Sequence, residues 1–388
     1  MKRAAILATL IGLAACQAPG PISIPGITRA PQSGEEALEA YYRTLPDDFF
    51  PVAPAGLPPP SGDTALTRIL VGSCLDEERG DSATLRTVAA TPADLFLMIG
   101  DNVYGDKDGA AYRVGDADLT ELRESFSDLA ARPDFQAVRQ VHPMMVAWDD
   151  HDYGLNDGGK HFAFRRLAER IHERFWGLAD KDVGAWPGTY YARTFGPEGK
   201  RTQIIMLDTR FFRSDLTYTD DASVKGQERY APSSDPNQDM LGNDQWTWLE
   251  NELQKPADLR LIVSSIQVIP NVHGWEAWSR LPAEQQRLYS LINETGANGV
   301  VFVSGDRHTG FLYRKDGILP YPAYEITASS FNASEATETD EKDESQVGAG
   351  YPPENFGSLD INWDEGSVTL SIHASDGATV EEVTDTFR

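Results

Sequence analysis

Cysteine and positive charge are both scarce in this sequence. Its 388 residues include two cysteines, Cys16 and Cys74, which excludes a framework of several disulfides. There are 34 Lys and Arg residues against 60 Asp and Glu residues, a formal net charge of −26 at pH 7. This charge argues against general binding to a nucleic-acid backbone, and it would repel an anionic substrate unless local positive charge were supplied. The simplest interpretation of the charge as a whole is solubility.

The N-terminal apolar run, Ala4 to Ala15, is too short to span a bilayer as a stable anchor. It follows two basic residues and ends in Leu-Ala-Ala before Cys16, a pattern typical of a secretory signal. That ending is similar to a bacterial lipobox, in which the cysteine is lipidated; the alternative is a plain signal peptide with a chance cysteine. We predict a lipoprotein signal over residues 1–16 and a lipid anchor that holds the protein to a membrane in the periplasm, at the outer membrane or on the cell surface.

The rest of the chain divides into two predicted regions. Residues 17–63 are rich in proline, glycine and small residues, which predicts a tether with one short helix near Glu35–Tyr42. Residues 64–388 form one predicted catalytic domain, in which strand and helix patterns alternate. After about residue 320 the pattern predicts strands alone. Strand-length apolar runs lie at 66–72, 94–99, 143–148, 202–207, 259–264 and 299–304, and helical spacing lies at Leu119–Leu129, Phe162–Trp176 and Trp246–Leu253. The alternation predicts α/β layers with a central sheet.

Four of the predicted strands end in residues that can bind metals. They are followed by Cys74; by Asp101 and Tyr104; by Asp149, Asp150 and His151; and by Asp306 and His308. Taken singly, an Asp after a strand is usually a helix cap or turn residue, a Tyr is usually a core aromatic, and a lone His is more often a surface or core residue than a ligand. For Cys74, which has no disulfide partner if Cys16 is lipidated, we favour a metal over a buried apolar cysteine. Ligands of open α/β sheets bind beyond the carboxyl ends of the strands, so the recurrence favours one shared site.

The candidate ligands are chemically mixed. Carboxylates suit Ca²⁺ or Mg²⁺, whereas thiolate and phenolate suit a transition ion such as ferric iron or zinc. The mixture predicts two unlike metals in one site. Two metals about 3.5–4 Å apart activate water and clamp an in-line displacement at phosphorus, and they supply the positive charge that an acidic protein needs for an anionic substrate.

Several motifs together resemble the alkaline phosphatase D family of metallophosphoesterases, over roughly residues 66–375. In chain order they are Gly-Ser-Cys74, Gly-Asp101-Asn-Val-Tyr104, Trp148-Asp-Asp-His-Asp-Tyr-Gly-Leu-Asn156, Leu207-Asp-Thr-Arg210, Leu241-Gly-Asn-Asp-Gln-Trp-Thr-Trp-Leu249, Ser264-Ser-Ile-Gln267 and Ser304-Gly-Asp-Arg-His308. The resemblance implies a four-layer α/β/β/α sandwich with a binuclear site, in which Fe³⁺ bound by Cys and Tyr is paired with Ca²⁺.

The resemblance also implies a role for each candidate residue. Asp101 would bridge the metals, Cys74 and Tyr104 would bind the iron, and Asp150 would bind the second metal. Asp306 and His308 resemble the last ligand pair, and His151 resembles the proton donor to the leaving group. Second choices are Asp149 as a ligand and Asn156 as a contact of the site. Alternation along a strand would point Asp149 and Asp150 to opposite faces, so at most one of them is expected to be a direct ligand.

Two departures from the family pattern leave the metals open to zinc or another divalent ion. Arg307 stands in the last motif where a small apolar residue is common, and Gly-Ser-Cys74 replaces the Asp-x-His of the broader superfamily. Arg307 is a candidate substrate-binding residue, as is His273 in the polar segment that ends at Glu276; a surface loop is the equal alternative for that segment.

The sequence therefore predicts a lipid-anchored enzyme that hydrolyses phosphate esters outside the cytoplasm and scavenges phosphate. One alternative is a phospholipase-like phosphodiesterase on the same scaffold. The other is a non-enzymatic surface lipoprotein that uses its metals for structure.

Overall fold

The computed structural model describes residues 33–179, 182–224, 226, 228–334 and 343–387. The predicted signal with Cys16, and residues 17–32 of the predicted tether, lie outside these residues. The chain divides into two compact units, residues 1–46 and 47–388. The first contains helix α1 (Gly34–Tyr42), close to the predicted helix; the Ser33 hydroxyl caps it by accepting a hydrogen bond from Glu36 N at 3.1 Å.

Within the described part of the chain, no helix combines the length and apolar character that crossing a membrane requires.

Residues 47–63, the last part of the predicted tether, belong to the second compact unit. The Ala53 amide donates to Phe175 O at 3.0 Å, and the Leu57 amide donates to Arg139 O at 3.2 Å. Gly62 O accepts a hydrogen bond from the Gly196 amide at 2.8 Å. Proline-rich composition suggested a free linker, but the backbone amides of this segment are paired with the domain.

The second unit contains thirteen described strands and eight described α-helices. The strands are β1 (Arg68–Gly72), β2 (Leu95–Ile99), β3 (Met144–Ala147), β4 (Tyr191–Phe195), β5 (Thr202–Met206), β6 (Leu259–Val263), β7 (Val300–Ser304), β8 (Gly310–Lys315), β9 (Ala323–Thr327), β10 (Gln346–Tyr351), β11 (Asn355–Asn362), β12 (Ser367–Ala374) and β13 (Thr379–Thr386). The helices are α2 (Ala83–Ala90), α3 (Ala110–Val114), α4 (Thr120–Ala131), α5 (Pro133–Val141), α6 (Asp150–Tyr153), α7 (Arg165–Trp176), α8 (Gly242–Leu253) and α9 (Pro282–Thr295).

The strands form two sheets. The first has six strands in the order β13-β12-β11-β1-β2-β3, and the second has seven in the order β10-β8-β9-β7-β6-β5-β4. Strands β1, β2 and β3 are parallel neighbours in the first sheet, and β5, β6 and β7 are parallel neighbours in the second. Each parallel run therefore brings the carboxyl ends of three strands to one edge.

The two sheets pack face to face, and helices cover their outer faces. Ile69 and Val71, alternate residues of β1, share one buried core with Val301 and Val303 of β7. On the outer face of the second sheet, Phe302 lies in a separate core with residues of α8 and α9, among them Leu249, Leu288 and Ile292.

On the outer face of the first sheet, the Phe96 ring packs near His142, which follows α5. His142 Nε2 donates to Val88 O of α2 at 2.9 Å, so these two helices are joined above the sheet. Helices thus lie outside both sheets, which confirms the predicted four-layer α/β/β/α sandwich.

Candidate metal centre

The predicted ligand residues gather at one edge of the sandwich, although they come from both sheets. Cys74, Asp101 and Asp150 follow β1, β2 and β3, which lie side by side as expected. Asp306 and His308 follow β7, which belongs to the facing sheet. Ligand-type atoms within 4.8 Å of one another form four overlapping groups: Cys74, Asp101 and His308; Asp101, Asp150 and His151; Asp101, Asp149, Asp150 and Asp306; and Asp150, Asp157 and Glu276.

The backbone is strained at these strand ends. Cys74, Asp101, Asp306 and His308 have φ values of 58°, 47°, 66° and 53°. Residues with a side chain rarely adopt this left-handed conformation, and such strain is concentrated at functional sites. The four residues therefore hold their positions at a cost that capping a helix does not require.

Gly100, directly before Asp101, is needed because two strand ends approach each other closely. It has a φ of 111°, and a Cβ added there would lie 2.6 Å from Asp149 Cβ. The glycine thus allows the β2 and β3 ends to bring their carboxylates together.

One side of the site combines thiol, phenol, imidazole and carboxylate. Cys74 Sγ lies 3.4 Å from Asp101 Oδ2, and the Tyr104 hydroxyl lies 3.2 Å from His308 Nε2. His308 Nδ1 donates to the backbone carbonyl of Ala333. Fixing one ring nitrogen in this way orients the other nitrogen, which is the usual arrangement around a metal-binding histidine.

The structure gives Asp149 and Asp150 different partners. Asp149 Oδ1 accepts hydrogen bonds from Arg210 Nε at 2.5 Å and from Ser265 Oγ at 2.7 Å. Asp150 lines the cavity of the site, and its Oδ2 accepts a hydrogen bond from Asp157 N at 2.6 Å. The expectation that the two side chains point to opposite faces is not met, because β3 ends at Ala147 and α6 begins at Asp150, so both carboxylates reach the same group.

A buried arginine network lies directly behind the site. Arg210 and Arg213 have side chains that are 0% exposed, and both form ion pairs with Glu276; Arg213 Nη2 lies 2.7 Å from Glu276 Oε1. Arg210 also pairs with Asp149. Sequence reasoning noted the motif that contains Arg210 but assigned it no role. For the segment that ends at Glu276 it left a pocket wall and a surface loop open, and it did not predict the ion pairs of Glu276.

Asp101 and Asp306 lack comparable neutralisation. Burial, together with the nearby Cys74 and Asp150, raises the pKa of Asp101 well above its usual range. Burial and then Asp149 do the same to the pKa of Asp306, and burial raises the pKa of the Cys74 thiol to about 11. Bound cations would restore the charged forms of these groups. The mixed donor set and its uncompensated charge therefore fit a metal centre.

His151 is held by a carboxylate and lies beside the Tyr104 ring. Its Nδ1 lies 2.6 Å from Asp106 Oδ1, and its ring centroid lies 4.2 Å from that of Tyr104. Burial lowers the pKa of His151, but the charges of Asp150, Asp101 and Asp106 outweigh it and raise that pKa well above its usual range. Sequence reasoning missed Asp106, which lies two residues beyond the Tyr104 motif.

A cavity of about 740 Å³ opens onto these residues. Asn156 is exposed on its wall, and Arg307 lines it as well. His273 is buried instead, with Nε2 2.9 Å from Gln267 Oε1, and does not lie on this wall. From the segment that carries it, Trp275 and Glu276 reach the cavity.

Two facing sheets between helical layers, with metal-binding side chains at the strand ends, define an α/β metallophosphoesterase. The chain belongs to the PhoD-like phosphatase family, whose model matches residues 69–157 and 189–376. The predicted family is thereby confirmed.

Individual relatives agree with this assignment. Alkaline phosphatase D of Bacillus subtilis strain 168 is 24% identical over 284 residues, which cover 66% of this chain and 48% of the relative. The chain thus spans about half the length of that relative. A solved structure of PhoD superposes with a TM-score of 0.62 at 16% identity, covering 85% of this chain and 70% of the other, and so supports the fold. A dimetal phosphatase from Danio rerio gives a TM-score of 0.47 at 14% identity, covering 84% and 100% of the two chains.

Proposed function

We propose that this protein hydrolyses phosphate esters by a metal-dependent mechanism, as a phosphatase or phosphodiesterase. The observation that carries the proposal is the convergence of Asp101, Asp150 and Asp306 with His151 beside one open cavity. Membership of the PhoD-like phosphatase family supports it. A purely structural metal site would not require an imidazole held by a carboxylate at the cavity wall.

The donor atoms divide into two sets that suit unlike metals. Cys74, Tyr104 and His308, together with Asp101, would hold ferric iron, because thiolate and phenolate favour a transition ion. Asp101, Asp150 and Asp306 would hold calcium, which prefers carboxylate oxygens. Once bound, the cations would neutralise the phosphoryl oxygens and lower the pKa of the attacking water.

His151 is the proposed proton donor to the leaving group. The hydrogen bond between Nδ1 and Asp106 fixes the ring and leaves Nε2 for the cavity. Burial lowers the pKa of His151, but the charges of Asp150, Asp101 and Asp106 raise it, which favours the protonated ring. It can therefore protonate the alkoxide that departs from phosphorus.

The proposed location is outside the cytoplasm, with a lipid at Cys16 anchoring the protein to a membrane and phosphate scavenging as its role. The signal-like N-terminus supports this proposal. Growth with labelled palmitate should label the wild type, and a Cys16→Ser variant should stay unlabelled. Label that persists in the variant, or a wild type that remains in the cytoplasm, would contradict the anchor.

The activity is tested with purified protein, elemental analysis and a matched panel of phosphate mono- and diesters. We expect turnover that is lost on chelation and returns with iron and calcium, while circular dichroism shows that the metal-free protein stays folded. Unfolding on chelation without turnover of any ester by the metal-loaded protein would favour a structural metal site. A strong preference for phospholipid diesters would favour the phospholipase-like alternative.

The iron assignment has a separate optical test. Phenolate bound to ferric iron absorbs visible light, so the purified protein should be coloured and Tyr104→Phe should bleach it. Tyr112→Phe, at a side chain that is 79% exposed, is the matched control and should keep the colour. A colourless wild type that contains zinc alone would refute the iron assignment.

A further inference from the structure

The cavity is larger than a phosphoryl group requires. Its volume of about 740 Å³ lies within the range of roughly 300–1,000 Å³ typical of sites for whole organic ligands. The candidate metal ligands occupy one part of its wall. The remaining wall is therefore available to contact the alcohol portion of an ester.

Trp275 gives this remaining wall an aromatic surface. It is 41% exposed, whereas the other seven tryptophans of the chain are buried or half-buried. Its backbone is held in place, because the Trp275 amide donates to His273 Nδ1 at 3.2 Å. The preceding carbonyl, Gly274 O, accepts hydrogen bonds from the amides of Arg229 and Tyr230 at 3.2 and 2.7 Å. The indole is thus presented to the cavity by two loops that are bonded to each other.

Two arginines stand on the same wall. The Arg229 side chain is 37% exposed, and its Nη2 lies 2.9 Å from Asp157 Oδ2. Arg307 also lines the cavity, and in the sequence it stands between the ligand candidates Asp306 and His308. Burial and then the charge of Arg307 lower the pKa of His273, which places Arg307 near the loop that carries Trp275. In a chain with a net charge of −26, two arginines and an exposed indole on the wall of one cavity form a distinct local environment.

We propose that Arg229, Trp275 and Arg307 form a subsite for the leaving alcohol, and that it selects alcohols that carry a planar, neutral or anionic ring. This ring subsite rests on the proposed phosphoester hydrolysis. A flat unsaturated ring can stack on the indole, and guanidinium groups tolerate or attract its oxygen atoms. An indole alone would also bind a quaternary ammonium group. The Arg307 guanidinium would repel one, whereas the charge of Arg229 is already paired with Asp157.

The ring subsite is tested by comparing esters that differ in the alcohol. The probes are thymidine 5′-monophosphate, glycerol 1-phosphate and phosphocholine, or their methyl diesters if diesters are preferred. Trp275→Ala should lower the ratio of kcat/KM for the thymidine ester to that for the glycerol ester by about tenfold, the effect of losing one stacked base. Trp275→Phe, which keeps a smaller ring, should lower that ratio less. Tyr112→Ala removes an exposed aromatic outside the cavity wall and should leave the ratio unchanged.

A second comparison tests the charge. Arg307→Gln should raise kcat/KM for phosphocholine relative to the thymidine ester by about fivefold at low salt, because it removes one repulsive charge. Equal losses on the ring and ring-free esters in Trp275→Ala, or an unchanged phosphocholine ratio in Arg307→Gln, would overturn the subsite.

If the wild type hydrolyses none of these esters, the proposed function fails and the ring subsite is decided by binding alone. Calorimetry with thymidine should then show binding to the wild type and to Tyr112→Ala, and weaker binding to Trp275→Ala. Equal affinity in all three proteins would overturn the subsite, whatever the activity.

Discussion

Two buried acidic clusters lie next to each other at the edge of this sandwich, and they solve the problem of buried charge differently. In the first, which we call the metal-facing cluster, Asp101 lies in one group of ligand atoms with Cys74 and in another with Asp150 and Asp306, and burial raises the pKa of Asp101 and Asp306. Arg210 Nη2 lies 4.0 Å from Asp150 Oδ1, a longer contact than its ion pairs with Asp149 and Glu276. In the second, the arginine-paired cluster, the buried side chains of Arg210 and Arg213 neutralise Asp149 and Glu276.

The difference indicates separate roles. A charge that is paired within the protein is already compensated and can fix the positions of neighbouring groups. A charge that is left uncompensated needs an external cation. His151, which faces the metal-facing cluster, can release a proton, whereas the arginines of the second cluster cannot.

The largest expected effect comes from removing the carboxylate shared by the groups of the metal-facing cluster. Asp101→Asn should lower kcat/KM by about 10⁴-fold, because two metals would lose a common ligand and several kcal/mol of transition-state stabilisation would go with it. In the metal-free protein the same change should raise the free energy of unfolding, since a neutral amide replaces a buried acid. Elemental analysis, kinetics and urea unfolding check the three parts, with the exposed Asp128→Asn as control. A metal-free variant less stable than wild type would break the comparison.

His151 is expected to give the next largest effect. His151→Ala should lower kcat for esters with poor leaving groups by about 10²–10⁴-fold, and much less for activated aryl esters, because an activated leaving group needs no proton. Asp106→Asn keeps the imidazole but weakens its hydrogen bond, so its loss should be smaller. Metal content should be unchanged in both variants. Equal losses on both ester types would contradict the role of His151 as proton donor. Loss of metal from His151→Ala would indicate that His151 is a metal ligand.

Breaking the arginine-paired cluster should destabilise the fold. Arg210→Met leaves Asp149 and Glu276 buried without this partner, which should lower the free energy of unfolding by about 3–5 kcal/mol. The matched control is Arg68→Met, which removes an exposed ion pair with Asp360 and should cost less than about 1 kcal/mol. Urea unfolding of the metal-free proteins measures both changes. Equal losses of unfolding free energy in the two variants would mean that the buried ion pairs of Arg210 stabilise the fold no more than an exposed ion pair does.

Some strands of the two sheets could be predicted from the sequence, and others could not. The strands β1, β2, β3, β5, β6 and β7 were predictable because each contains a short apolar run and most of its residues are buried. Three of the missed strands, β4, β10 and β13, lie at sheet edges, where half-exposed residues blur the apolar pattern. In β13, most residues are exposed or half-buried.

The candidate site divides in the same way. Its metal-facing residues follow strands, so their convergence could be predicted from the carboxyl ends of the sheet. Arg210, Glu276 and Asp106 lie in loops whose partners are decided by tertiary packing. The sequence could not indicate which of many charged residues would pair with Asp149 or His151.

The stability of the metal-free protein should depend on pH, because buried acids in and beside both clusters have raised pKa values. Burial raises the pKa of Asp149 to about 7 and that of Asp152 to about 8, and it raises those of Asp101 and Asp306 as well. An acid whose pKa is higher in the folded state than in the unfolded state is harder to ionise in the folded protein. It therefore lowers the free energy of unfolding as the pH rises from the unfolded-state pKa to the folded-state pKa. The free energy of unfolding of the metal-free protein should therefore fall as pH rises from about 4 to about 8, by up to about 1.4 kcal/mol per pH unit for each such group.

The raised pKa of His151 acts in the same direction, because its stabilisation is lost as pH rises through that value. The lowered pKa of Asp150 has the opposite sign, but its window lies below the ordinary carboxyl pKa. Bound metals replace protons at the ionised ligands, so the metal-loaded protein should lose much less stability over the same interval. Urea unfolding at pH 5, 6, 7 and 8, with chelator and with metals, gives the two slopes. Parallel slopes would mean that the falling stability arises elsewhere in the protein, and the metal-facing cluster would then not differ from its arginine-paired neighbour.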